Sequence, residues 1–244
     1  MSTRAGPDYD PHGALRKVSG PTLRPGGLEL TVKALSVCGF TQGAKIVDVG
    51  CGPGATLKLL TDRGFDAQGV DPSPKYLAMA KAHGQTALGS LTALPQPDGW
   101  ADGLFCECVL NLAENRSAAL GEISRVLKPF GHFVLSDVFA LNGPDGTDGT
   151  DVTDGPLANI PLVDGTCLGG AVTLPAALDE LGQAGFQILF CQDYRAALNS
   201  LAAKLVWEYG PEGLKHLPTP KADCRPGAKA GKYTYALIVS QKNG

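Results

Sequence analysis

A glycine-rich turn followed by an acid is the part of this sequence best suited to chemistry. The segment Gly50–Gly54 (GCGPG) lies between an apolar run and a helical pattern. Glycines let a backbone turn tightly and let a ligand approach it closely, and the helix that follows adds its positive amino-terminal end. Asp71, 21 residues after Gly50, ends a second apolar run, where a carboxylate can accept hydrogen bonds from ribose hydroxyls. These parts predict a nucleotide-binding crevice at the carboxyl ends of neighbouring strands.

The residues themselves leave two kinds of nucleotide open. Gly50–Ala55 also satisfies the GxGxxG/A pattern of dinucleotide-binding proteins, for which NAD is the expected ligand. Asp48, two residues before Gly50, favours a different ligand. A buried carboxylate is costly beside a pyrophosphate but is well placed beside a sulfonium or an ammonium group. The turn therefore predicts a nucleotide site, and Asp48 favours a cationic ligand in it.

Two cysteines in the second half of the chain could hold a thiophilic substrate. Cys167 stands before two glycines, which leave the backbone room beside a site, and Cys224 follows 57 residues later. Thiolates are the ligands that soft centres select. Packing as small apolar residues is the alternative for both, because a sequence reports neither exposure nor pKa.

We expect the other five cysteines to pack in the interior, and we place two of them, separated by one residue, on the same side of a strand. No pair has the spacing of a zinc site, so no metal is predicted. The five are Cys38, Cys51, Cys106, Cys108 and Cys191, and the pair on one side of a strand is Cys106 with Cys108.

The elements that must position these residues alternate between strands and helices. Apolar runs predict strands at 45–50, 66–71, 103–109, 132–138, 186–194 and 232–241. Helical spacing and capping signals predict helices at 28–39, 55–64, 73–84, 117–128, 174–185 and 195–209. This alternation is typical of an α/β fold with a mainly parallel sheet.

The composition indicates one globular domain with two irregular stretches. The chain has 244 residues and a net charge of −3, so a nucleic-acid partner is not expected. No run reaches the roughly 18 apolar residues of a membrane span, and the polar amino terminus has no apolar signal core, so we expect a cytoplasmic protein. We assign residues 1–28 to an irregular arm and 29–244 to one domain. Within that domain the Asp/Gly-rich stretch 140–165 is expected to be a flexible loop insertion.

The glycine turn resembles the first motif of class I S-adenosylmethionine-dependent methyltransferases. Val47–Gly54 (VDVGCGPG) and Gly69–Ser73 (GVDPS) carry this resemblance, which extends over roughly residues 30–240. It implies a Rossmann-like sheet of seven strands with an antiparallel last strand and helices on both faces. It also implies S-adenosyl-L-methionine as the cofactor and a small-molecule acceptor of the methyl group. The cofactor-binding residues that it implies are Asp48, Gly50, Cys51, Gly52, Gly54, Asp71, Pro72, Ser90, Leu91 and Cys108.

Three further segments are similar to the arsenite methyltransferase branch of that superfamily. They are Cys108–Leu112 (CVLNL), Ser136–Val138 (SDV) and Cys167–Ala171 (CLGGA), in this order along the chain. The similarity implies that Cys167 and Cys224 bind arsenite or another thiophilic acceptor.

The chain also departs from that branch. Residues 20–30 contain no cysteine where the branch carries one before the glycine turn, and Phe130 replaces a glycine usual at its position. A carbon, oxygen or nitrogen acceptor therefore stays open, and so does a cofactor-binding protein without turnover. In the superfamily the amino-terminal arm often covers the cofactor, which predicts that Tyr9 and Arg24 help to close the pocket.

Overall fold

The computed structural model describes residues 13–141, 168, 170–210 and 233–244. Tyr9, Cys167, Cys224 and nearly all of the predicted loop insertion lie outside these residues. Within them, seven strands form one sheet: β1 Lys45–Val49, β2 Asp66–Asp71, β3 Gln85–Leu88, β4 Ala101–Glu107, β5 Leu127–Ala140, β6 Phe186–Asp193 and β7 Tyr233–Lys242.

The sheet has the strand order β3-β2-β1-β4-β5-β7-β6. Strands β1 to β5 pair in parallel, whereas β7 is antiparallel to both β5 and β6. The predicted α/β class, the seven strands and the antiparallel last strand are confirmed. The apolar pattern missed β3, because this edge strand has only four residues, none of which is fully buried.

Helices cover both faces of the sheet, as predicted. The first face packs against α5 and α6 through residues such as Val47 and Leu104, and the second packs against α2, α3 and α7 through residues such as Ile46 and Leu237. Among the described residues no helix has the length and apolar character needed to cross a membrane. The helices are α1 Gly13–Ser19, α2 Gly27–Cys38, α3 Ala55–Asp62, α4 Pro74–Ala80, α5 Arg116–Val126, α6 Leu174–Gln183 and α7 Arg195–Tyr209.

The amino-terminal arm is more regular than its composition indicated. Helix α1 occupies part of the stretch that was expected to be irregular, and a short 3₁₀ turn follows it at Gly20–Thr22. Leu15 of α1 is fully buried in a cluster with Leu205 of α7 and Tyr235 of β7. Burial against distant elements therefore stabilises a helix that glycine and proline content argued against, since tertiary packing supplies most of the stability of short helices.

Candidate functional site

The glycine turn lies at the carboxyl end of β1, where two of its glycines are required by close packing. The Gly50 and Cys51 N–H groups both donate to the Val70 carbonyl, at 2.7 and 3.1 Å. A Cβ at Gly50 would lie 2.3 Å from Cγ2 of Val109, and Gly50 has a φ of 69°. A Cβ at Gly54 would lie 2.9 Å from the backbone of Ala80. Only glycine fits either position without a shift of its surroundings.

Gly52 differs from these two glycines because its surroundings are open. Its φ is 51°, and the nearest atom to an added Cβ would be Cδ1 of Leu23, at 3.9 Å. The backbone at the centre of the turn therefore faces space that a ligand could occupy. At Gly52 the absence of a side chain leaves the backbone exposed, whereas at Gly50 and Gly54 it permits close internal packing.

Asp71 holds the turn from the end of β2. One of its carboxylate oxygens accepts a hydrogen bond from the Gly52 N–H at 3.0 Å, and the other accepts one from the Ser73 N–H at 2.8 Å. The residue is 6% exposed. Because a carboxylate oxygen has two lone pairs, Asp71 can stabilise the turn and still accept hydrogen bonds from a ligand.

Asp48 is a buried acid with an unused oxygen. It lies within β1, is 3% exposed, and its Oδ2 atom has no hydrogen-bond partner among the described residues. Burial and the nearby Glu107 charge raise the pKa of Asp48 to about 8, against the opposing effect of the Arg24 charge and of the Leu57 N–H. A buried polar atom without a partner is costly and calls for a functional explanation.

A buried ion pair joins the amino-terminal arm to the end of β4. The Arg24 guanidinium lies 2.8 Å from the Glu107 carboxylate and donates to the Thr31 hydroxyl at 2.5 Å. The Thr31 and Thr56 hydroxyls both donate to Glu107, at 2.9 and 2.8 Å. Arg24 was predicted to help to close the pocket, and it lies inside the protein beside the acids of the site. Glu107, Thr31 and Thr56 were not among the predicted site residues. Glu107 could have been found, because it is an acid at the end of an apolar run.

Cys108 lies just beyond β4, on the opposite face of the sheet from Cys106. Its φ is 60°, and its thiol lies 3.3 Å from the hydroxyl of Tyr235, which in turn donates to Ser136 Oγ at 3.0 Å. Cys106 is fully buried with Leu104 on the first face. The prediction that the two thiols share one side was wrong, because the left-handed backbone at Cys108 breaks the alternation of the strand.

The remaining predicted residues have varied surroundings. Cys51 is buried, and burial raises the pKa of its thiol. Leu91 packs in the core of the first face, Ser90 is half-buried beside it, and Pro72 is exposed. Cys191, which was predicted to be buried, is exposed on the edge strand β6, so that prediction was wrong. Within the described part of the chain no group of His, Cys, Asp and Glu side chains could hold a metal ion.

The comparison with protein families decides how this geometry is classified. Residues 47–135, which contain the glycine turn and both aspartates of the site, match the family model described as a methyltransferase domain. Over these residues the chain is similar to a methyltransferase domain. The resemblance of its glycine turn to class I methyltransferases, stated from the sequence, is confirmed.

The relatives that match this chain are methyltransferases named for different substrates. A malonyl-[acyl-carrier protein] O-methyltransferase of Serratia marcescens is 29% identical over 142 residues, which are 57% of this chain and 51% of that protein. An arsenite methyltransferase of Aquipseudomonas alcaligenes is 29% identical over 149 residues, which are 54% of this chain and 40% of that protein. The chain thus spans about half the length of the curated relatives that it matches.

A solved structure shows the same fold over nearly the whole chain. It is phosphoethanolamine N-methyltransferase 2 of Haemonchus contortus in complex with phosphomonomethylethanolamine and S-adenosylhomocysteine. The TM-score is 0.70 at 16% identity, and the match covers 97% of this chain and 58% of the other. The shared fold therefore extends beyond residues 47–135, into the antiparallel end of the sheet.

Proposed function

We propose that this protein transfers the methyl group of S-adenosylmethionine to a small-molecule acceptor. The observation that carries the proposal is the buried Asp48 carboxylate, whose Oδ2 atom has no partner among the described residues. The cofactor bears positive charge at its sulfonium and ammonium groups. Such a charge would compensate the buried acid, whereas the pyrophosphate of NAD would repel it. The methyltransferase family match of residues 47–135 supports the same cofactor.

The residues present fit this cofactor in three respects. Asp48 would face its positive end, and Asp71 at the end of β2 would accept hydrogen bonds from its ribose. Gly52 would leave the backbone free to approach it, because the space beside Gly52 is open. Ser90 and Leu91 stay candidates for the surroundings of the adenine.

The chemistry of the bound cofactor is the supply of an electrophilic methyl group on a sulfonium. The protein's own residues bind, orient and exclude water. We expect the Arg24–Glu107 pair to close one side of the site, and its support is that the two charged side chains are only 5% and 3% exposed. No general base is required where the acceptor is itself a good nucleophile.

Calorimetry with S-adenosylmethionine and with NAD tests the proposal directly. We expect saturable binding of S-adenosylmethionine and no binding of NAD. A matched pair of variants locates the site: Gly52→Ala places a Cβ in the open space of the turn, while Gly182→Ala adds the same group to open space on α6. Only the first should lose cofactor affinity. Tight NAD binding without sulfonium binding would refute the proposal.

For the acceptor, we propose arsenite or another thiophilic species held by Cys167 and Cys224. The support is the similarity of the Cys167–Ala171 segment to arsenite methyltransferases, together with the preference of soft centres for thiolates. Methyl transfer to arsenite should be lost in Cys167→Ser and in Cys224→Ser. It should be retained in Cys191→Ser, because Cys191 is exposed on β6.

The other acceptor classes give different results in the same assay. If the parent protein does not methylate arsenite but releases S-adenosylhomocysteine with a carbon, oxygen or nitrogen acceptor, its substrate belongs to that acceptor class and not to the thiophilic one. A protein that binds the cofactor tightly and releases no S-adenosylhomocysteine with any acceptor is a cofactor-binding regulator.

A further inference from the structure

Three segments that are far apart in the sequence meet at the carboxyl end of β5. They are Cys108–Leu112, Ser136–Val138 and the part of Cys167–Ala171 that the structure describes. Each contributes one residue to a common contact, namely Asn111, Asp137 and Gly170. None of these residues belongs to the proposed cofactor site, so the contact has a different purpose.

Asp137 is held by donors on both of its carboxylate oxygens. Oδ1 accepts from the Asn111 side-chain amide at 2.9 Å and from the Val138 N–H at 2.8 Å, and Oδ2 accepts from the Asn111 N–H at 3.1 Å. The Asn111 amide also donates to the Val138 carbonyl at 2.7 Å. Both residues are buried. Asp137 is therefore committed to fixing the 3₁₀ turn Leu110–Leu112 and is not a free base.

Gly170 lies directly against this turn. A Cβ at Gly170 would lie 2.0 Å from the Asn111 carbonyl oxygen and 3.0 Å from its carbon. The clash would be with backbone atoms of a turn that Asp137 holds in place, so no side-chain rotation could relieve it. The position admits only glycine unless the segment moves away.

The chain around Gly170, which we call the returning segment (Leu168 and Gly170–Thr173), is also tied to β5. The Ala140 N–H donates to the Val172 carbonyl at 2.9 Å. Leu168 is buried in the cluster that contains Tyr235, against which Cys108 packs. The returning segment thus lies on the side of the sheet occupied by Cys108 and Tyr235.

The hydrogen bonds around Asn111 extend to helices α5 and α6 on the first face of the sheet. The Asn111 side-chain oxygen accepts from the Arg116 guanidinium at 2.8 Å, and Arg116 pairs with Glu180 of α6 at 2.9 Å. Helix α6 begins immediately after the returning segment. Strand β5 and helix α6 are therefore both held by one group of connected polar residues, namely Asp137, Asn111, Arg116 and Glu180.

We propose that Asn111, Asp137 and Gly170 form a positioning unit that seats the returning segment at the carboxyl end of β5 and so shapes the acceptor side of the site. The unit acts through the backbone of the segment, and none of its three residues is among the proposed cofactor-binding residues. The assignment of an acceptor side rests on the proposed methyl transfer, whereas the seating of the segment does not.

Amide hydrogen exchange with calorimetry tests this unit in Gly170→Ala, with Gly182→Ala as the matched control. The reporter is the Ala140 amide, which donates to Val172, and the reference amides are those of Val134 and Leu135 in the middle of β5. We expect Ala140 exchange to accelerate at least about tenfold, a loss of about 1.4 kcal/mol of local protection. The reference amides and the dissociation constant of S-adenosylmethionine should stay within about twofold.

Every other outcome counts against the unit. Unchanged Ala140 exchange refutes the seating of the segment, and equal acceleration of the reference amides reduces Gly170 to a general stability residue. A large loss of cofactor affinity refutes the acceptor-side assignment. If Gly170→Ala does not fold, Asn111→Ala gives the same test, because it keeps the backbone donor to Asp137 and removes only the side-chain contacts. A parent protein that fails to bind S-adenosylmethionine refutes the proposed function, while the exchange result still decides the seating.

Discussion

Asp48 and Asp137 are two buried aspartates near the carboxyl ends of parallel strands, and they differ in what surrounds them. They are 3% and 1% exposed, and burial is the main cause that raises the pKa of Asp48 to about 8 and that of Asp137 to about 6. Both oxygens of Asp137 accept hydrogen bonds from the protein, whereas Oδ2 of Asp48 has no partner among the described residues.

The comparison separates an acid that the fold satisfies from one that we propose binds a ligand. An acid whose hydrogen bonds are all made by the fold stabilises that fold, and its loss leaves buried donors unsatisfied. An acid with an unused buried oxygen costs stability, and the fold retains it where a ligand supplies the missing partner. Strand position and burial alone would have given both residues the same role.

The largest expected effect is on stability in Asp137→Asn. The substituted amide keeps only one acceptor oxygen, so its NH2 group faces the backbone N–H of either Asn111 or Val138, and we expect the free energy of unfolding to fall by about 3 kcal/mol. Urea denaturation measures this loss. Asp48→Asn is the matched control, in which we expect no comparable loss of stability near neutral pH. Equal losses in the two variants would remove the distinction between them.

The next effect is on the cofactor in Asp48→Asn. Loss of the carboxylate should weaken binding of S-adenosylmethionine by about 10- to 100-fold, as expected for a hydrogen bond to a charged group. Isothermal calorimetry measures the affinity. Wild-type affinity in this variant would show that Asp48 does not face the positive end of the cofactor.

The pH dependence of stability should distinguish the two acids. For both, the folded-state pKa lies above the ordinary value of 3.8, so the folded state holds the proton more tightly. Each acid's contribution to the free energy of unfolding is therefore complete below pH 3.8. It is lost as pH rises, up to about pH 6 for Asp137 and up to about pH 8 for Asp48. Between pH values of about 6 and about 8, stability relative to the parent should therefore rise in Asp48→Asn and stay level in Asp137→Asn. Urea denaturation across this range checks it, and parallel curves would contradict it.

The smallest effect concerns a residue remote from both acids. Phe130 has a φ of 63°, a left-handed backbone conformation that favours glycine, and the residue is 64% exposed. Phe130→Gly should raise the free energy of unfolding by up to about 1 kcal/mol, because the left-handed strain is removed. Thermal denaturation measures the gain, and cofactor affinity should not change. A loss of stability would show that the Phe130 ring contributes more than its backbone strain costs.

Local patterns were sufficient for the elements of the proposed cofactor site. The strand before Gly50, the helix after Gly54 and the acid at Asp71 were all predicted in place, because each depends on neighbours within one turn or one strand. The edge strand β3 and the helix α1 were missed. Their stability depends on partners distant in the sequence, as the burial of Leu15 against α7 shows.

Side-chain environments were predicted less well. Cys191 was expected to be buried but is exposed, since it lies on the edge strand β6. Cys106 and Cys108 were placed on one side of a strand, although the left-handed backbone at Cys108 separates them. Neither edge position nor a positive φ at a non-glycine residue leaves a reliable mark in the sequence.

The sequence by itself determined the α/β class, the glycine turn and the two acids beside it, because hydrophobic periodicity and glycine requirements act over short distances. Only the tertiary structure decided that Arg24 pairs with Glu107, and that Asp137 is satisfied while Oδ2 of Asp48 has no partner among the described residues. Those differences depend on which hydrogen-bond donors the sheet order brings together, from residues as far apart as Thr31 and Glu107. Such distances are set by the packing of the whole domain.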